Sequence, residues 1–580
     1  MSEKPSAHLE SITFSSGQTL VLNENDKILI VGPNNSGKSQ TLRDIISLIT
    51  KDLPQNMVIK NLSLKRKGSR EDFSNYIKEN GELHGNYYYL GQASIYHGYI
   101  DSWQPGNRLN DLSPLFIKNI TAKERLSICE QQDSISREQQ KSKPQHILYD
   151  DSELMDKVSS IFKKAFNKDL IFDYRGGNKL PIHIADRDEF KGIDDRVSNA
   201  YIEKLRTFPL LDQQGDGIKS YAGILFETIA FNLNISLIDE PEAFLHPPQM
   251  RKLGQTLAEE VNGQLIVATH SSDIMRGFLE GTRGNIRIIR IQRDDNVNMI
   301  HEVDQPAIKK LWSQPNLKYS NALDSIFHEQ VIICEDDSDC RLINFVADYI
   351  SENEETIFPD TSFIPSGGKH AISGIAEILR LAGVPVKAIY DFDLISERNT
   401  FVTALKAFGC SEDKKTEIVK QWEMINSEVL QKIKSKSASE IKQALLDTIT
   451  STTPDKISKS QIEEIFKQKK PWSEVKRHGI GGLPPGSIRK TFKTFNQKLK
   501  ELGIFLVPVG EIENFSPETG SHGPKFVSKF LEERELSDPE LSPLRDFVID
   551  VFHSKIIVED VPTQKDEEQR TTESGDKMAV

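Results

Sequence analysis

The residues Gly32-Pro33-Asn34-Asn35-Ser36-Gly37-Lys38-Ser39 have the spacing of a phosphate-binding loop, with glycines at its first and sixth positions and Lys-Ser at its end. Glycines let backbone N–H groups turn toward phosphate oxygens, and a helix that follows directs its positive end at them. In such a loop Asn34, Asn35 and Ser36 line the cradle. Lys38 contacts the β- and γ-phosphates, and the Ser39 hydroxyl binds Mg²⁺. The apolar run at residues 27–31 leads in as a short strand, and residues 40–50 lead out with helical spacing.

Far along the chain, Ile235-Ser236-Leu237-Ile238 runs into Asp239-Glu240. These types suit the other half of a triphosphate site: Asp239 to hold Mg²⁺ and Glu240 to polarise an attacking water. A buried strand ending in solvated acids is the plain alternative. Against it stand the sequel Pro241-Glu242-Ala243-Phe244-Leu245-His246-Pro247 and a further strand at 264–268 that ends in Thr269-His270-Ser271.

A second set of acids follows. Residues 329–334 read as a strand with Glu335 at its end, then a helix over 340–350 and a strand near 362–365. After the Ser366-Gly367-Gly368 turn come a helix over 369–382 and a strand over 386–390 that ends in Asp391-Phe392-Asp393. This βαβαβ rhythm puts Glu335, Asp391 and Asp393 at the carboxyl ends of parallel strands, where open α/β sheets build their sites. Alternation along an extended backbone points Asp391 and Asp393 the same way. Converging carboxylates repel unless a cation neutralises them, and oxygen-only ligands favour Mg²⁺ or Mn²⁺ over zinc. Two such ions ~4 Å apart activate water and stabilise the leaving oxygen of a phosphodiester. Solvated strand-end acids are the bland reading, and the ordered set argues against it.

Elements must position these residues, and the chain is long enough to supply them. Its 580 residues suggest roughly two to four domains. With 37 % hydrophobic and 27 % charged residues it reads as a globular chain. No apolar run approaches the roughly 20 residues that span a bilayer, and the N-terminus lacks a signal-peptide pattern. The expectation is a cytoplasmic protein with no membrane partner. Cys129, Cys334, Cys340 and Cys410 form no CxxC pair, which excludes a zinc ribbon and a disulfide framework. The net charge of −13 argues against bulk coating of nucleic acid but leaves room for a local basic groove. Residues 51–200 look like an insertion, partly helical and partly loop. Residues 395–500 read as a helical insertion, whose basic stretches at 467–477 and 489–500 suit either a docking arm or a solvated face. The residues from about 563 onward read as a disordered tail.

Taken together, the first set of motifs resembles the ATPase heads of the ABC class, especially those of SMC, RecF and OLD (overcoming lysogenization defect) proteins. The resemblance implies that His270 senses the γ-phosphate and that Leu245-His246-Pro247 meets a partner head. It also implies that a signature segment caps the nucleotide of the other subunit. The best match is Gln214-Gly215-Asp216-Gly217-Ile218-Lys219-Ser220, where Gly215 and Gly217 stand in a departure from the common Leu-Ser-Gly-Gly form. ATP binding is then expected to favour a homodimer, or a higher homo-oligomer, through the heads.

The second set resembles the TOPRIM domain of topoisomerases, primases and OLD-family nucleases. That resemblance makes Glu335 a metal ligand or general acid/base, Asp339 a supporting acid and ligand, and Asp391 and Asp393 metal ligands. A late Gly-x-x-Glu segment, Gly510-Glu511-Ile512-Glu513, points to Glu513 ahead of Glu511 as a further ligand, and Lys525 matches a late lysine that stabilises the scissile phosphate. Glu335-Asp336 stands where the usual pattern is Glu-Gly.

Head followed by TOPRIM is the OLD architecture. The implied fold class is α/β. An ABC-like head spans 1–325, with an arm at about 51–200, and a Rossmann-like TOPRIM domain spans 326–550, with its insertion at about 395–500. A C-terminal segment covers 551–580. The implied activity is ATP-regulated, Mg²⁺- or Mn²⁺-dependent cleavage of phage or plasmid DNA in bacterial antiphage defence, in some members with a partner protein or retron element. A rival reading is a regulatory ATPase scaffold whose TOPRIM domain binds nucleic acid or a partner without cutting. A type II topoisomerase would need a tyrosine-bearing cleavage domain, and a primase would ordinarily bring a zinc module; neither is found.

Overall fold

The computed structural model describes residues 4–50, 58–103, 106, 108–136, 139–303, 305–313, 323–431, 438–451 and 471–556. The chain divides into two compact units, Met1–Phe327 and His328–Val580, and both are mixed α/β. The expected tail from about residue 563 lies outside the described residues.

In the first unit, strands β1 (Ser6–Phe14), β2 (Thr19–Val21) and β3 (Lys27–Val31) precede helix α1 (Lys38–Ile49) and strand β4 (Ile59–Lys67). There follow β5 (Ile117–Ile120), α2 (Ala122–Ser127), α3 (Asp216–Leu225), β6 (Ile235–Asp239), α4 (Pro247–Glu260) and β7 (Gln264–Ala268). Helix α5 (Ser272–Thr282) and the strands β8 (Arg287–Asp294) and β9 (Val297–Glu302) complete the frame. A six-stranded sheet has the order β9-β8-β3-β7-β6-β5, and β2-β1-β4 form a separate antiparallel sheet. β8, β3, β7, β6 and β5 run parallel. Apolar side chains from both sheets and from α1 (among them Leu9, Phe14, Leu42, Ile45, Leu62, Ile30 and Ile266) form one buried cluster.

The stretch 51–200 is not a single insertion. β4 is paired with β1 along its length, and β5 is the edge strand beside β6. Both are needed to cover core residues. The short hairpin strands Glu82–His84, Tyr87–Leu90 and Ala93–Tyr96 form a small sheet of their own.

The second unit opens with β10 (Gln330–Cys334), α6 (Asp337–Asn353), β11 (Thr361–Pro365), α7 (Lys369–Leu381) and β12 (Val386–Tyr390). Helices α8 (Arg398–Ala407), α9 (Glu412–Gln431), α10 (Ala438–Ser451), α11 (Pro471–His478) and α12 (Ser487–Leu502) then lead to β13 (Ile504–Leu506). Helices α13 (Pro524–Glu533) and α14 (Ser542–His553) close the described chain. The sheet order is β11-β10-β12-β13, all parallel. Strands buried on both faces explain the continuous apolar runs Val331–Ile333 and Ala388–Tyr390. The four cysteines are buried thiols outside any disulfide. Among the described residues, no helix is long and apolar enough to cross a membrane.

Candidate functional sites

In the first unit, β3 delivers the loop and α1 begins at Lys38, with Gly37 as its N-cap in a left-handed conformation (φ 102°). A side chain at Gly37 would also meet Asn298 Nδ2 at 2.9 Å, so two demands select glycine there. Asn298 of β9 donates from Nδ2 to the Ser36 carbonyl at 2.6 Å, a brace that no motif announced. Asn34 and Asn35 are exposed, Asn35 with φ 59°, while Gly32 lies against the Ile291 carbonyl. Ser36 Oγ is buried without a hydrogen-bond partner, and Lys38 Nζ donates to the Gly32 and Pro33 carbonyls at 2.8 and 2.6 Å. Burial pushes the Lys38 ammonium down to about 8. An orphaned hydroxyl and an under-solvated ammonium beside a helix N-terminus fit a phosphate.

Because β7 lies between β3 and β6, the ends of all three strands meet beside the loop. The Ser39 hydroxyl donates to Asp239 Oδ1 at 2.8 Å. Burial raises the Asp239 carboxyl, the Ser39 hydrogen bond opposing it. Glu240 is exposed and left-handed (φ 46°), and its N–H donates to the Ala268 carbonyl at 2.9 Å. Glu242 accepts from Thr269 Oγ1 at 2.9 Å and from the His270 N–H at 2.6 Å, thereby tying the acidic turn to the histidine turn. The His270 imidazole is held below its usual range, by burial first and then by the charge of Lys38. Gly215 caps α3, and Gly217 sits so close to the turn that a Cβ would be 2.6 Å from the Phe244 carbonyl. Arg125, wholly buried, was not singled out from the sequence; its guanidinium donates to the Asp239 and Glu240 carbonyls at 2.9 and 2.6 Å.

In the second unit, Glu335 sits just beyond β10, and Oε1 accepts the Asp391 N–H at 3.3 Å. The Gly367 and Gly368 N–H groups hold the Glu335 carbonyl at 3.0 and 2.8 Å. Asp336 and Asp339 form a reciprocal capping box on α6. Asp391 does not continue an extended strand to Asp393. β12 ends at Tyr390 and Phe392–Ser396 is a 3₁₀ turn, fixed by the Phe392 N–H to the Gly510 carbonyl at 2.8 Å. Alternation therefore does not set their directions; the turn does.

Burial, reinforced by Glu335, Asp339, Glu511 and Asp393, pushes the Asp391 carboxyl up to about 9. Asp339 rises to about 7 through burial, then Asp336, with Glu513 and Glu335 adding to it. Glu335 is raised by burial and by Asp393. Acids that resist ionisation because of one another fit a hard divalent cation. Glu513 accepts the Gly523 N–H at 2.9 Å, and Glu511, Glu513 and His522 offer ligand atoms within 4.8 Å of one another.

Lysines complete the arrangement. Lys369 and Lys476 reach Asp393 Oδ2 at 3.2 and 3.1 Å, and Lys476 also pairs with Glu511 at 2.9 Å. Gly510 (φ 108°) packs against the Lys476 carbonyl with no room for a Cβ, so α11 is pinned at the acids. Lys525 is exposed in the first turn of α13. Within the basic stretches, Arg489 caps the Gly481 and Leu483 carbonyls, Lys498 pairs with Glu417 at 2.5 Å and Lys500 pairs with Asp550. Part of that positive charge is thus spent inside the unit; residues 467–470 lie outside the described residues.

Residues 127–276 match the family described as "AAA domain, putative AbiEii toxin, Type IV TA system". No curated protein matches the chain. Among solved structures, it is similar to the SmcHead bound to the C-winged helix domain of ScpA, at 13 % identity over 51 % of this chain and 98 % of that one, with a TM-score of 0.33. It is also similar to the SMC head domain from Thermotoga maritima, at 14 % identity over 52 % of this chain and 100 % of that one, with a TM-score of 0.28. The family match takes in Asp239, Glu240 and His270 but not the phosphate loop at residues 32–39.

Proposed function

We propose that the chain is an ATP-regulated, divalent-metal-dependent DNA endonuclease resembling the OLD type, acting in bacterial antiphage defence. The observation that carries the nuclease reading is the mutual crowding of Glu335, Asp339 and Asp391 at the carboxyl ends of a parallel sheet, with Asp391 pushed up to about 9. A bound Mg²⁺ or Mn²⁺ would supply an activated water and stabilise the leaving oxygen of a phosphodiester. Glu335, Asp339, Asp391, Asp393 and Glu513 are the residues proposed to hold it. Lys369 and Lys476 pair with Asp393, and Lys476 also with Glu511, so a cation held by Asp393 would meet these lysines as rivals.

In the first unit, Gly32 to Ser39 would cradle ATP, Asp239 and Ser39 its Mg²⁺, and Glu240 would polarise the water while His270 reads the γ-phosphate. Gly215 and Gly217 would meet the nucleotide of a second copy. Hydrolysis of ATP is not chemically needed to cut a phosphodiester, so the proposed role of the nucleotide is control through head association.

A second reading, a scaffold that binds nucleic acid without cutting, is favoured by the two lysines that already answer the charge of Asp393. Plasmid cleavage measured with Mg²⁺ or Mn²⁺, crossed with ATP, ADP and no nucleotide, decides between them. The nuclease reading expects cutting that needs metal, with a nucleotide dependence that Lys38→Ala erases; absence of cutting under every condition, with plasmid binding retained, supports the scaffold.

A further inference from the structure

Arg125 belongs to no phosphate, metal or signature motif, yet it is among the largest fully buried side chains of the protein. Burial pushes its guanidinium down to about 10, so it keeps its charge at neutral pH. Both terminal nitrogens are committed to consecutive backbone carbonyls, those of Asp239 and Glu240. Between those carbonyls the chain leaves β6 and turns left-handed at Glu240 (φ 46°). A non-glycine residue resists that conformation, which persists only where its surroundings hold it. A planar fork with two parallel donors is suited to hold it; an ammonium offers no such pair of fixed directions.

The same residue touches a second element through its backbone. A Cβ at Gly223 of α3 would collide with the Arg125 carbonyl, so α2 and α3 are in direct backbone contact. Cys129 Sγ donates to the Lys219 carbonyl of α3 at 3.1 Å, a second tie between the segments. α3 also reaches the turn after Glu240 directly: Ser220 Oγ donates to the Ala243 carbonyl at 3.3 Å, and Gly217 lies under Phe244. Helix α3, the Arg125 guanidinium and the Asp239–Glu240 turn thus form one closed circuit.

We infer that Arg125 is a positioning residue for ATP hydrolysis, fixing the Glu240 turn through its bidentate guanidinium and linking any shift of α3 to that carboxylate. The inference rests on the reading of Glu240 as the residue that polarises water. The carboxylate itself is exposed, so its aim depends on the backbone beneath it. A displacement on the order of 1 Å at such a group costs roughly 100-fold in rate.

The test is steady-state ATP hydrolysis, binding of a fluorescent ATP analogue and thermal melting of the full chain, for wild type, Arg125→Gln, Arg125→Lys and Gly223→Ala. The expected result is a kcat lowered roughly 10- to 100-fold in Arg125→Gln, with analogue affinity and KM changed by less than about threefold. Arg125→Lys should regain part of the rate, because an ammonium can still hold one carbonyl. Gly223→Ala, whose methyl presses on the Arg125 carbonyl, should lower kcat with the guanidinium in place. Should Arg125→Gln fail to fold, the Lys and Gly223→Ala variants decide. An unchanged kcat in them, or a rate loss that tracks lost nucleotide binding and melting temperature, overturns the inference. A wild type that binds ATP without hydrolysing it overturns the reading of Glu240 as well.

Discussion

The Ser39 hydroxyl donates to the Asp239 carboxylate at 2.8 Å, across a sequence separation of 200 residues. The contact exists because β7 lies between the strand that carries the phosphate loop and the strand that ends at Asp239. Both oxygens thereby face one small volume beside Lys38, as an Mg²⁺–triphosphate site requires.

Lys38 should therefore govern binding. Lys38→Ala is expected to weaken binding of a fluorescent ATP analogue by roughly 10- to 100-fold, the worth of charge-assisted hydrogen bonds. Unchanged affinity in the titration would remove the loop from the nucleotide site.

Glu240 should govern turnover and not binding. Glu240→Gln is expected to lower kcat by roughly 100- to 10,000-fold, the span of a lost general base, with ATP still bound. Sedimentation of this variant should show association with ATP and none with ADP. A sedimentation coefficient indifferent to nucleotide would count against head-to-head pairing.

The two sites differ in how openly the sequence displays them. The phosphate loop is local: its glycines, Lys38 and Ser39 lie on one short segment, and the left-handed φ of Gly37 is a demand that only that residue type meets cheaply. Strand ends at Asp239, Cys334 and Tyr390 followed from apolar runs bounded by acids. What resisted reading was set by tertiary contact. Arg125 lies in an ordinary capped helical turn, and nothing about Thr121-Ala122-Lys123-Glu124 announces that its guanidinium meets Asp239 and Glu240. Asp393 leaves the extended path because the Phe392 N–H finds the Gly510 carbonyl, a partner supplied much later in the chain. β4 and β5 carry polar residues such as Lys60, Asn61, Lys118 and Asn119 at exposed or half-buried positions, so they read as part of an insertion.

Lys476 pairs with Asp393 and Glu511, so a cation held by Asp393 would have to displace it. Lys476→Met is expected to tighten Mn²⁺ binding by roughly 2- to 5-fold, the worth of a partly exposed pair, in calorimetry at constant ionic strength. Weaker binding in this variant would mean that the lysine supports the acids in holding the ion.

Lys387, buried in β12, donates to the Phe552 carbonyl at 2.7 Å, and burial pushes it down to about 8. Below that pH the folded chain carries a poorly solvated charge. From about 8 to about 10.4 the unfolded chain binds more protons, so stability rises with pH across that window. The full effect is about 3 kcal/mol. Lys387→Met should be more stable than wild type at pH 7 and lose the rise, as read by urea unfolding at pH 7 and pH 10. A wild-type midpoint that falls over this range relative to the variant would contradict the burial argument.

The central claim is that the acids at the ends of β10 and β12 cut phosphodiesters. Its most direct measurement is the initial rate of plasmid nicking in Mn²⁺ by wild type and by Asp391→Ala, with folding of both checked by melting. The account predicts nicking by wild type that chelation abolishes, and a rate in Asp391→Ala lower by roughly 100-fold or more. Nicking by Asp391→Ala at the wild-type rate would contradict it.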